Sequence, residues 1–219
     1  AYPFIEAANY FNMPTSTLRS WCVGQDYKVN GTTRRFRPLI ELDGSKNEGL
    51  SFLNLVEAHV LADIRRKRDI PLPKVREALA FMQAKMNSPR PLVERSFQTD
   101  GVNLFVDELS SLVNVTREGQ IEMKELLLAH LHRIERDPAG LPIRLFPFTR
   151  TGTQERDAPV QIDPTIAFGR PSLRGRAVPT AVLADRFKAG EPMTELASDF
   201  GVTVEVIEDA IRCELDRAA

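Results

Sequence analysis

At 219 residues, with 42% hydrophobic and 27% charged side chains, the chain suits one large domain or two to three small ones, with the balance of a soluble globular protein. No apolar run approaches the ~18 residues a membrane helix needs and no secretory segment is visible, so no membrane association is expected. The net charge of −1 hides an asymmetry: residues 1–95 carry 15 Lys and Arg against 10 Asp and Glu, and residues 96–219 carry 14 against 20, which turns only the N-terminal part toward a polyanion.

The two cysteines, Cys22 and Cys213, have no metal-ligand spacing, and a reduced, cytoplasmic setting is expected. The chain opens on Ala1 rather than Met, consistent with a few preceding residues.

Residues 7–21, AANYFNMPTSTLRSW, read as two short helices around a tight bend. Helix-turn-helix units need a small residue where the helices touch, a residue tolerant of positive φ in the turn, and apolar residues on the inner face of the second helix. Ala8, Asn12, and Leu18 with Trp21 fill those positions, and Ala7 and Phe11 complete the stripe. Trp21 is expected in the core. Thr15, Ser16, Thr17, Arg19 and Ser20 remain as candidate DNA contacts, since short hydroxyls and one cation approach phosphates and base edges without burying an unpaired charge.

Residues 25–50 suit a hairpin, rich in Gly, Asn, Thr and Arg with short alternating runs such as Arg35-Phe36-Arg37 and Leu39-Ile40-Glu41-Leu42. Lys28, Arg34, Arg35 and Arg37 on it are candidate contacts to the DNA backbone or minor groove. Residues 51–87 return to helical periodicity, with Leu53, Val56, Val60 and Ile64 on one face, Ser51 as N-cap, and a second helix from about Pro73 to Met86. Arg65, Arg66, Lys67 and Arg68 form a second basic cluster for further phosphate contacts. With ~6–8 phosphate contacts per protomer, binding should fall steeply with salt.

The expected fold is mainly α with an α+β middle: residues 1–87 as a DNA-binding unit, 88–148 as a small α+β domain, 149–159 as a linker and 160–219 as a C-terminal unit. In the middle, Ser-Pro-Arg-Pro at 88–91 reads as a connector. Strands are expected at 102–106, 113–115 and 120–123, a helix at 125–136, and a last strand around Ile143, Leu145 and Phe146. This domain could dimerise the chain, bind a protein partner or bind a small effector.

Residues 193–211, MTELASDFGVTVEVIEDAI, contain a second bend. Ala197 takes the small site, Gly201 the turn, Leu196 and Phe200 the inner stripe, and Ile207 and Ala210 the apolar face. Its outward positions are Thr203, Val204, Glu205, Glu208 and Asp209. Carboxylates aimed at a phosphate backbone repel it, so a protein-binding or dimer surface is expected here.

No catalytic constellation is recognisable. His59 reads as core or rim, His130 and His132 do not share a helix face, and no phosphate loop or nucleophile elbow is present. No metal and no cofactor are expected.

The segment Thr17-Leu18-Arg19-Ser20-Trp21, the basic hairpin after it, and LNLVEAHVLADIRRKRDIPLPKVREAL at 53–79 together resemble the N-terminal domain of MerR-type regulators. That resemblance implies a winged helix-turn-helix braced by a two-helix unit. The chain departs from those regulators in lacking a long dimerisation helix after Met86 and a cysteine cluster for a metal effector.

Residues 160–202, VQIDPTIAFGRPSLRGRAVPTAVLADRFKAGEPMTELASDFGV, resemble a small domain of bacterial antitoxins encoded beside toxins with a PIN-like ribonuclease fold. The whole layout resembles VapB-type antitoxins with a MerR-like head and a C-terminal three-helix, helix-turn-helix-like domain. The resemblance implies a bacterial cytoplasmic protein that neutralises a PIN-like ribonuclease toxin and represses their shared operon, as a homodimer on an inverted repeat of double-stranded DNA. Such nucleases hold divalent metal with carboxylates, which guanidinium groups can pair. Arg170, Arg174 and Arg176 are candidates for that role, or they satisfy local carbonyls and solvent. The alternatives are an effector-responsive regulator without a toxin partner and, further off, a nucleic-acid-linked enzyme.

Overall fold

The structure, a computed structural model, describes residues 1–29, 31–45, 48–66, 70–113, 115–148 and 158–215. Its described residues are mostly helical, with three two-stranded ribbons. The chain divides into two compact units, residues 1–132 with 136–142, and residues 133–135 with 143–219.

The first unit begins with α1 (Phe4–Tyr10) and α2 (Thr15–Val23). The expected bend between them is present. Asn12 has φ 48°, and the Met13 N–H donates to the Ala8 carbonyl at 3.1 Å, which reverses the chain in one turn. Ala7, Ala8, Leu18 and Trp21 are fully buried, as the bend requires. The antiparallel hairpin β1 (Gln25–Val29) and β2 (Thr32–Phe36) follows.

Helix α3 (Phe52–Arg66) forms the centre of this unit. Ser51 caps it: its hydroxyl accepts from the Asn54 N–H at 3.1 Å, and the Asn54 side chain accepts from the Ser51 N–H at 3.4 Å, a reciprocal cap that satisfies two orphan donors. The expected one-sided stripe is only part of the burial. Val56, Val60 and Ile64 are buried, but so are Asn54, Glu57, His59 and Asp63. Helix α4 (Leu72–Met86) starts at Pro71 and ends at Asn87 in the left-handed conformation.

The middle segment differs from expectation. Residues 102–106 and 120–123 are helical, in α5 (Val102–Val113) and α6 (Arg117–Leu131). Val113 closes α5, the Val115 N–H returns to the Ser110 carbonyl at 3.4 Å, and Asn114 lies outside the described residues. The alternation Val102, Leu104, Val106 suggests a strand, yet the buried set is Val102, Phe105, Val106, Leu109 and Ser110, the 3.6-residue stripe of a helix. Packing against α4 and α6 outweighs the β-leaning of the valines. Helix α5 packs on α4 and α6 on α3, so residues 88–132 extend the first unit rather than form a separate domain.

Helix α6 stops at Leu131, short of the expected Arg136. Ile134–Arg136 instead forms β3, paired with β4 (Pro142–Leu145). The Asp137 carboxylate closes the intervening turn by accepting from the Leu141 N–H at 2.9 Å. The chain crosses from the first unit to the second through this ribbon.

In the second unit β5 (Val160–Gln161) pairs with β6 (Ser172–Leu173), and α7 (Thr180–Lys188), α8 (Met193–Phe200) and α9 (Val204–Leu215) follow. Val160, Leu173, Leu183, Leu196, Ile207 and Ile211 are central to one apolar core. Of the expected linker 149–159, residues 149–157 lie outside the described ones.

Candidate nucleic-acid interface

The chain just after the hairpin is tied to α2 through the backbone. Both the Leu39 and Ile40 N–H groups donate to the Trp21 carbonyl, at 2.7 and 3.0 Å. Gly24, at φ 81°, joins α2 to β1; a Cβ there would lie 2.5 Å from the Phe36 carbonyl oxygen. Only glycine permits that approach.

Pairing places Asp26 opposite Arg35, Tyr27 opposite Arg34 and Lys28 opposite Thr33. Because side chains alternate across a ribbon, Lys28 and Arg35 share one face, while Arg34 shares the other with Tyr27 and Phe36. Arg35 lies 3.7 Å from the Asp26 carboxylate across the strands, both well exposed. Lys28, Arg34, Arg35 and Arg37 are all exposed. A single surface therefore cannot use Arg34 and Arg35 equally.

On α2, Ser16 and Arg19 are exposed, and Thr15 and Thr17 are half-buried at the start of the helix. The Arg19 guanidinium sits 5.4 Å from the centre of the Phe4 ring, which braces it against α1. Ser20 is half-buried and donates its hydroxyl to the Thr17 carbonyl at 2.7 Å, so only its acceptor capacity faces outward. In the second basic cluster, Arg65 donates to the Ile70 carbonyl at 3.3 Å. The Arg66 side chain and all of Lys67 and Arg68 lie outside the described residues.

Two supports of this surface have no signal in the sequence. Arg76 of α4 lies 4.3 Å over the Phe36 ring and donates to the Arg37 carbonyl at 2.7 Å, fastening the hairpin base. Burial, and then Arg37 nearby, lower its pKa. Arg90 donates to the Asp43 carboxylate at 2.9 Å and to the Glu41 carbonyl at 2.9 Å, and Ser51 donates to Asp43 at 2.5 Å. Arg90 and then Ser51 hold the Asp43 carboxyl below its ordinary pKa. Beneath them Asn54 bridges the Glu41 carbonyl at 2.8 Å and the Glu57 carboxyl at 3.1 Å. Burial pushes the Glu57 carboxyl up to about 7, against the lowering effects of Asn54 and Arg90. Deeper, His130 Nε2 meets Asp63 at 3.0 Å with both side chains buried, and His130 Nδ1 lies 2.8 Å from the Leu126 carbonyl.

The second bend repeats the first in bonding. Gly201 has φ 59° and the Val202 N–H donates to the Ala197 carbonyl at 3.0 Å. Its outer helix is acidic: Glu205 is exposed, and Glu208 pairs with Arg212 at 2.6 Å. The three candidate arginines of this unit part company. Arg176 donates to the Gly201 carbonyl at 3.1 Å, Arg174 stacks 4.5 Å over the Phe146 ring, and Arg170 is exposed.

A bend with a left-handed Asn12, a buried Ala8 and an exposed Arg19, followed by a basic hairpin, is that of a helix-turn-helix protein. Residues 1–79 match a family model described as "Putative DNA-binding HTH domain", and residues 160–212 match one described as "Protein of unknown function (DUF433)". Over nearly its whole length the chain is similar to the "Putative antitoxin VapB45" of Mycobacterium tuberculosis, 28% identical over 96% of this chain and 92% of that protein. It is also similar to the uncharacterized protein Rv2308 of the same organism, 24% identical over 96% and 88% of the two chains. The crystal structure of Rv2018 from Mycobacterium tuberculosis superposes with a TM-score of 0.68 at 26% identity, covering 96% of each chain. Among the described residues no helix is long and apolar enough to cross a membrane, and no group of three or more His, Cys, Asp or Glu gathers as a metal site.

Proposed function

We propose that the protein is a non-enzymatic antitoxin that represses its own operon through the N-terminal unit and neutralises a cognate PIN-like ribonuclease toxin through the C-terminal one. The carrying observation is the pairing of a helix-turn-helix bearing an exposed basic hairpin with full-length similarity to a protein named as an antitoxin. Residues 1–87 act as a MerR-like winged unit. The first turns of α2 enter the major groove with Thr15, Ser16, Thr17 and Arg19, and Ser20 accepts at its edge. The hairpin is the wing, tracking the backbone with Lys28 and Arg35 from one face or Arg34 from the other, and Arg37 and Arg65 to Arg68 add phosphate contacts. Helices α5 and α6 support a homodimer on an inverted repeat. The C-terminal three-helix unit keeps the helix-turn-helix shape, but its acidic α9 face, with Glu205 and Glu208, disfavours a phosphate backbone. Such a protein works in the bacterial cytoplasm, without metal or cofactor of its own.

The test is the double variant Arg19→Ala with Arg35→Ala, titrated against operator DNA from 50 to 300 mM salt. Operator affinity should drop by at least tenfold and the slope of log K against log salt should become shallower by about 2, with toxin neutralisation kept. Unchanged affinity and slope would remove α2 and the hairpin from the DNA. Loss of neutralisation alongside DNA binding would place the toxin on the N-terminal unit.

A further inference from the structure

Ala167, Phe168 and Gly169 have φ of 49°, 56° and 79°, three consecutive residues in the left-handed region. Glycine adopts it freely, whereas alanine and phenylalanine do so only under constraint. Phe168 gains nothing from the fold in return. It is 102% exposed, while the other exposed large hydrophobics among the described residues are at 62% or less.

The constraint comes from below the tip. The Ile166, Gly169 and Arg170 N–H groups donate to the carbonyls of Asp163, Ile166 and Ala167 at 3.1, 2.9 and 3.0 Å. Asp163, itself buried, accepts from the Thr165 N–H at 2.8 Å, from the Thr165 hydroxyl at 2.6 Å and from Arg144 at 2.8 Å. Arg144 is held in turn by Glu135 at 2.9 Å. Burial would raise the Asp163 pKa, but Thr165 and Arg144 outweigh it and hold the carboxyl low. The β5–β6 loop is thus an ordered platform that presents an aromatic ring to solvent. Strained backbone under an outward apolar side chain is the arrangement of a preorganised binding anchor.

The charge around the tip describes the partner. Residues 164–178 carry three arginines and no carboxylate, inside a C-terminal half that is otherwise acidic. With no carboxylate in the segment and Arg170 exposed two residues from Phe168, the tip fits an apolar pocket with a carboxylate at its rim. It fits nucleic acid poorly, because Arg176 is spent on the Gly201 carbonyl and Arg174 on Phe146, and a phosphate backbone needs several cations along it.

We propose that Phe168 is the anchor by which the C-terminal unit docks into an apolar, acid-rimmed pocket on its protein partner, with Arg170 pairing at the rim. This rests on the reading of the chain as an antitoxin, and the partner is then its ribonuclease toxin. Truncating a central aromatic anchor of an interface weakens binding by at least ~30-fold.

The test uses full-length protein and the purified product of the adjacent reading frame, with Phe168→Asn, since asparagine tolerates the left-handed conformation, and Arg170→Glu as a second variant. Phe168→Asn should lower affinity for that ribonuclease by at least ~30-fold and Arg170→Glu by about 10-fold. Thermal midpoint and operator affinity should be unchanged in both. Wild-type-like ribonuclease binding by both variants would overturn the anchor and leave the antitoxin reading standing. An adjacent frame without such a ribonuclease, or one whose product ignores the wild type, would overturn both. A loss confined to single-stranded RNA binding would overturn the anchor in favour of a stacking platform.

Discussion

Replacing Glu57 with glutamine should make the protein less sensitive to alkalinity between pH 4.5 and 7. Glu57 sits on α3 beneath the hairpin base, 6% exposed, with Asn54 donating to it at 3.1 Å and the Arg90 guanidinium 4.0 Å away as an ion-pair partner. Burial raises its carboxyl from the ordinary 4.5 to about 7. The sign follows from which state holds the proton. Below about 4.5 the folded and unfolded chains are both protonated and the group contributes no pH dependence. As pH rises through 4.5 the unfolded chain releases its proton first, so native stability falls until the folded carboxyl titrates near 7, and it is flat above that. The loss across the window is on the order of 3 kcal/mol, at 1.36 kcal/mol for each tenfold change in proton affinity. Glutamine has no proton to lose, so the stability of Glu57→Gln minus that of the wild type should grow by that order between pH 4 and pH 8. Urea unfolding at half-unit steps of pH, followed by far-UV circular dichroism, measures it. A difference that stays flat, or shrinks as pH rises, would mean that the ionised carboxylate is stabilised by Arg90, and the burial argument would be wrong.

Two further outcomes follow from the backbone and the hairpin base. Gly201→Ala should cost about 1 kcal/mol in urea unfolding, because the added Cβ meets nothing nearer than the Arg176 guanidinium at 3.8 Å and the cost is conformational; Gly201→Asn should recover roughly half of it, and a loss equal for both would point to a steric origin. Arg76→Ala should leave global stability within about 1 kcal/mol while speeding amide exchange through residues 25–36 by at least tenfold, and unchanged protection there would show that the Trp21 carbonyl contacts hold the hairpin alone.

Both bends were legible in the sequence because their constraints are local. A left-handed residue, a small residue and an apolar pair at fixed spacing leave few substitutes, so Asn12 and Gly201 could be placed without tertiary information. The turn-rich composition pointed to a hairpin within 25–50, but its strands were misplaced: of the alternating runs 35–37 and 39–42 only Arg35 and Phe36 lie in a strand, and the turn falls at Gly31, which has φ 78°. The exposure of Arg19, Arg34, Arg35 and Arg37 followed from charge, but which of them share a face followed only from the register.

The sequence by itself determined where the chain bends and where its charge lies, since those depend on a few adjacent residues and on the desolvation cost of burying ions. Tertiary packing decided the rest. It made residues 102–113 and 120–123 helical against α3 and α4, although their valines and isoleucine favour strand locally, because a helix buried Phe105, Leu109 and Met123 on one side; only the helix from residue 125 onward was legible beforehand. It also brought Arg90 to Asp43 and Arg76 to Phe36, pairs 47 and 40 residues apart, and lifted Phe168 clear of every neighbour. Contacts between residues that far apart depend on how whole elements pack, and no local periodicity encodes them.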